Sequence, residues 1–122
     1  MTAETTRRGA AAEEAALSLL QGQGMVLLAR NVRYRVGELD LVMAAGQTTV
    51  FVEVRHRQSA SHGGAAGSID AGKRQRLQAA AQLWLQSHPG RARLPCRFDV
   101  VLSQGEPPRL RWLPDAFQAS GY

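Results

Sequence analysis

The sequence predicts an α/β fold, one mixed β-sheet flanked by helices, and three features carry that prediction. An alanine-rich stretch near the N-terminus has high helix propensity, a run of β-favouring segments follows it, and a second helical stretch interrupts the strands before they resume. At 122 residues the chain suits a single domain, 1–122, preceded over about 1–6 by a flexible arm.

Ala10 to Leu20 form the centre of a first helix expected from about Ala3 to Gln21, with Ala12, Ala16, Leu19 and Leu20 sharing an apolar face. Gly22 and Gly24 supply its stop. Met25 to Ala29, continuing through Asn31 to Arg35, reads as a half-exposed strand. Gly37 marks a break, Glu38 to Met43 alternates again, and Thr48 to Arg57 is the strongest strand pattern in the chain.

Three glycines with serines and alanines between Gln58 and Ser68 predict a mobile loop, bounded at 58–69. The second helix is expected from about Asp70 to Ser87, with Leu77, Ala80, Ala81, Trp84 and Leu85 at helical spacing and Pro89-Gly90 ending it. Cys96 to Leu102 and Arg109 to Leu113 are the last two strands, separated by a turn at Gly105 and Pro107-Pro108.

Composition bounds the partners. With 44% hydrophobic residues the chain builds an ordinary globular core, and the longest apolar run, Met25 to Ala29, is far too short to span a bilayer. One cysteine, Cys96, makes no internal disulfide and suits a reducing cytoplasm. A net charge of +5 favours nucleic acid, DNA or RNA. Fourteen of the fifteen basic residues are arginine and only Lys73 is lysine. Arginine's planar fork suits phosphate, although a GC-rich genome would produce the same skew.

The hairpin between the second and third strands carries the chemistry. If Gly46-Gln47 is a two-residue turn, Ala45 pairs with Thr48, and counting outward sets Asp40 opposite Glu53 and Glu38 opposite Arg55. These side chains share a face with Val42 and Phe51, leaving Leu39, Leu41, Met43, Val50, Val52 and Val54 as an apolar face for a helix. Directly opposed carboxylates repel unless a cation neutralises them. Asp40 and Glu53, with the Val54 carbonyl as a further ligand, suit Mg²⁺ or Mn²⁺ and phosphodiester hydrolysis, with Arg55 stabilising charge on the phosphoryl group. The plainer alternative is a solvated sheet face on which Arg33, Arg35 or Arg57 serve as counter-ions.

At these residues the sequence resembles the YraN-like family, an uncharacterised bacterial family whose fold is similar to that of restriction endonucleases and archaeal Holliday-junction resolvases. The resemblance runs through Gly9 and Glu13, Ala29 to Arg33, Gly37 to Val42, Val50 to Arg57, Lys73, Arg97 to Val101, and Asp115-Ala116-Phe117. It implies a PD-(D/E)XK core of αβββαβ order. In that core Asp40 and Glu53 are metal ligands, Glu13 on the first helix completes the site, and the residue two past Glu53 is lysine. Here that residue is Arg55, which stays protonated and cannot act as a base.

Two functions follow as expectations. One is a metal-dependent endonuclease acting on branched or structured nucleic acid, with Asp40, Glu53, Arg55, Glu13 and Glu38 in the catalytic set and Arg57, Lys73, Arg74 and Arg76 on the phosphate backbone. The other is a non-catalytic nucleic-acid-binding or repair-associated scaffold with a degenerate site. His56, His62 and His88 have no partner at metal-ligand spacing, Asp99 reads as a structural carboxylate, and Trp84 reads as core. Trp112 suits the core, a base-stacking surface or a homodimer surface.

Overall fold

The structure, a computed structural model, describes residues 3–57 and 69–118, with side chains from Gly9 onward. Helix α1 (Ala3–Gly22) leads into strands β1 (Val26–Tyr34), β2 (Gly37–Ala45) and β3 (Thr48–Arg57). Helix α2 (Ala71–Gln86) and the single turn α3 (Pro89–Ala92) precede β4 (Cys96–Gln104) and β5 (Arg109–Phe117). The five strands form one sheet in sequence order, antiparallel except for the parallel pair β3 and β4. A parallel pair cannot be joined by a tight turn, and α2 is the crossover that carries the chain back.

Helices cover both faces of this sheet. Ala16, Leu17 and Leu20 of α1 pack on Leu41, Met43, Val50, Val52 and Val101. On the opposite face Leu77, Ala80, Ala81 and Trp84 of α2 pack on Leu39, Val42, Phe51, Phe98 and Val100. Double coverage explains the nearly continuous apolar runs of the central strands. Phe51 is the centre of the second layer, stacked on Phe98 at 5.5 Å and meeting Trp84 edge-on at 6.0 Å.

The hairpin register is the expected one. Ala45 pairs with Thr48, and Gly46 adopts the positive φ of 62° that a two-residue turn with glycine first requires. One assignment of faces needs correcting, because Leu39 packs under α2 and not with Leu41. In the β1–β2 ladder Arg30 pairs with Leu41 and Val32 with Leu39, but Asn31 and Asp40 between them form no pair. Asn31 has φ 53°, a left-handed conformation that asparagine tolerates, and the alternation of faces breaks at that point.

Element ends agree with expectation only in part. Helix α1 begins at Ala3, where its expected start lies, and so overlaps the stretch of about 1–6 also expected as an arm. The expected mobile loop 58–69 lies outside the described residues except for Ile69, which is buried under α2. Beyond Gln86 the chain makes α3, with Pro89 in its first turn where the missing N–H costs nothing. Strand β5 continues through Pro114 to Phe117, which an edge strand permits.

The N-terminus of α2 is capped by Asp70, whose side chain accepts the Lys73 N–H at 2.8 Å. Asp70→Ala is expected to destabilise the protein, read as a lower urea midpoint with unchanged slope.

Candidate active site

The β2–β3 ladder ends at Leu41 and Val52, one residue short of Asp40 and Glu53. Freed from backbone pairing, Asp40 turns its Oδ2 to accept the Val54 N–H at 2.8 Å. Its carboxyl also hydrogen-bonds to that of Glu53, so the two acids converge through their side chains. Glu53 is 7% exposed. Lys73, on the first turn of α2, places Nζ 3.3 Å from Glu53 Oε2.

Burial dominates the electrostatics. Removal from water, followed by the charge of Asp40, raises Glu53 to a pKa of about 7, against the pull of Lys73. Burial likewise raises Asp40, and the Val54 N–H, the Glu53 carboxyl and Lys73 oppose it. The pair therefore holds a proton or another cation more tightly than isolated carboxylates do. Two desolvated carboxyls that converge in this way fit a hard divalent cation, which takes one or two protein carboxylates and leaves its other positions to water and phosphate.

The other expected site residues are placed differently. Glu13 does not join the pair as a third ligand, because its side chain hydrogen-bonds to Asn31 and faces Arg30 at 4.0 Å. It is nonetheless near enough that burial and the charge of Asp40 raise its pKa. Arg30 is held in turn by Glu14 at 2.8 Å. Among the described residues no group of three or more His, Cys, Asp or Glu side chains is arranged to hold a metal ion. Val54 contributes to the site through its N–H, as a donor to Asp40.

Glu38 and Arg55 also lie beyond the last ladder pair, so their expected apposition is absent from the β2–β3 pairing. Glu38 meets Arg33 of β1 instead, at 3.5 Å on the surface. The charge of Arg55 acts on Asp70 at the start of α2. Lys73 is the cation that acts most strongly on both Asp40 and Glu53. Arg74 and Arg76 are exposed on α2, and Arg57 closes β3, its carbonyl accepting the Gly105 N–H.

Two of these placements had a signal in the sequence. Lys73 is the one lysine among fourteen arginines, and Asn31 is a strand-averse residue inside a β pattern. Of the remaining candidates, His56 Nδ1 lies 2.9 Å from Ser103 Oγ. His88 Nδ1 lies 2.7 Å from the Trp84 carbonyl, with its ring stacked on the indole. Trp84 is 3% exposed and belongs to the core. Trp112 packs partly against the α1 layer and donates its indole N–H to Asp99 at 2.9 Å.

Fold and site together define a mixed α/β protein whose helix-covered five-stranded sheet carries a carboxyl pair, Asp40 and buried Glu53, where the β2–β3 ladder ends. The chain belongs to the family described as "Uncharacterised protein family UPF0102", whose model matches residues 12–102. It is 55% identical to a UPF0102 protein of Xanthomonas campestris pv. campestris strain B100 over 118 residues, 97% of each chain. A UPF0102 protein of Xylella fastidiosa strain M12 is 56% identical over 110 residues, 90% of this chain and 91% of the relative. The family is the one to which the sequence resemblance pointed. No helix among the described residues is long and apolar enough to cross a membrane.

Proposed function

We propose that this protein is a metal-dependent nuclease that hydrolyses phosphodiester bonds in DNA or RNA, with branched or structured substrates, on a restriction-endonuclease-like PD-(D/E)XK core. The observation that carries the reading is the pairing of half-buried Asp40 with buried Glu53, drawn together at the open end of a ladder with an ammonium 3.3 Å from Glu53. A purely structural role would gain nothing from setting Asp40 against Glu53, where its charge adds to the cost of ionising an already desolvated carboxyl.

Asp40 and Glu53 would hold Mg²⁺ or Mn²⁺, which when bound supplies Lewis-acid activation of water and charge neutralisation at the phosphoryl group. The chain's own residues do the rest. The Val54 N–H fixes the orientation of Asp40, and the walls under α2 keep bulk water from Glu53. Exposed Arg74 and Arg76 offer contacts to the phosphate backbone that carry affinity without reading sequence.

Arg55 in the lysine position, and Glu13 tied to Asn31 and Arg30, favour a second reading: a nucleic-acid-binding scaffold that keeps the hairpin without the chemistry. Incubation with linear, flapped and four-way-junction DNA and with structured RNA, with and without Mn²⁺, separates the two. The nuclease yields products only with the metal, and Asp40→Ala lowers the rate by at least about 100-fold. Salt-sensitive binding without cleavage, indifferent to Asp40→Ala, would sink the nuclease reading.

A further inference from the structure

Beside the carboxyl pair a cleft of about 250 Å³ opens between the β1–β2 turn and the first half of α2. Lys73 belongs to both places, touching Glu53 and lining the cleft with Tyr34, Arg35, Gly37, Arg76 and Leu77. Gly37 makes the cleft a built feature, since a side-chain carbon there would collide with the backbone carbonyl of Arg76. The turn is thereby seated directly on the helix backbone. The backbone of Lys73 is held in turn, because Asp70 accepts its N–H.

We propose that this cleft is the entry subsite for the nucleic-acid backbone, with Lys73 as the cation that contacts the phosphate delivered to the carboxyl pair. Resting on the nuclease reading, the inference moves that role from Arg55 to Lys73. Three basic side chains, Arg35, Lys73 and Arg76, border the cleft against one acid, Glu38, which is engaged by Arg33. The volume lies below that of pockets that engulf whole drug-sized ligands. It therefore takes a phosphate with part of its sugar and leaves the bases outside, so recognition here is independent of sequence. The chain's one lysine stands where a compact, three-donor ammonium can face a carboxylate on one side and a phosphate on the other.

Fluorescence anisotropy with a short labelled DNA strand in EDTA tests this without any cleavage. Lys73→Gln and Arg76→Gln should each weaken binding about three- to tenfold near 0.1 M salt and lower the salt slope by about one. Arg109→Gln, on the far edge strand β5, should retain the binding of the parent protein, and Lys73→Arg should restore most of what Lys73→Gln loses. If Lys73→Gln fails to fold, Arg76→Gln and Lys73→Arg decide the matter. An unchanged slope in Lys73→Gln, or an equal loss in Arg109→Gln, overturns the inference. A protein that binds as described but never cleaves with Mn²⁺ defeats the nuclease reading alone. One that cleaves while Lys73→Gln binds normally defeats this inference alone.

Discussion

Glu53→Gln is expected to abolish metal-dependent cleavage and, at the same time, to stabilise the metal-free protein above pH 7. The folded chain holds the Glu53 proton with a pKa of about 7, against an ordinary value of 4.5. Between those values the folded state binds more protons than the unfolded state, so stability falls as pH rises from about 4.5 to 7 and is level above. At about 1.4 kcal/mol per unit of pKa the loss is at most about 3 to 4 kcal/mol, an upper bound because Asp40 shares the proton. Glutamine keeps the shape and removes the charge, so this part of the slope disappears. Thermal melting of both proteins at pH 5 and pH 8 reads the effect directly. Identical pH dependence in the two would show that Glu53 is not the group responsible.

A larger stability effect is expected at Asp99. Its carboxylate, 1% exposed, accepts from Arg97 Nε at 3.0 Å and Nη2 at 3.2 Å, from Trp112 Nε1 at 2.9 Å and from the Asp115 N–H at 2.9 Å. Asp115 is held at φ 51°, beside the register shift between Phe98 and Val100, so this one carboxylate pins the irregular end of β5 onto β4. Asp99→Ala strands an arginine, an indole and a backbone donor, and should cost about 3 to 5 kcal/mol. For a domain of this size that corresponds to a fall in Tm of roughly 10 to 20 °C. Asp99→Asn retains some of the acceptors and should lose less. A cost under about 1 kcal/mol for Asp99→Ala would show that the donors find water.

How far the sequence could be read depended on the range of each interaction. The Ala45–Thr48 register follows from turn chemistry and a period of two, both set by near neighbours, and it placed Asp40 and Glu53 together before any packing was known. The same counting failed at Leu39, because one left-handed residue, Asn31 on the neighbouring strand, breaks the alternation. Asp99 was legible as a structural carboxylate from its place among β residues. Its partners were not, since Trp112 and Asp115 reach it from another strand.

By itself the sequence determined the order of the five strands and the two long helices, the hairpin turn, the apolar runs that build the sheet, and the convergence of two acids on one site. Membership in the UPF0102 family rests on that same string of residues. Only the tertiary structure decided that Lys73 stands against Glu53 while Glu13 is drawn off by Asn31 and Arg30. It also decided that a covered sheet face raises Glu53 to a pKa of about 7. Local pattern specifies which way a side chain points along its own strand. Burial and charge pairing depend on which helix closes over that strand, and that is settled only when distant segments meet.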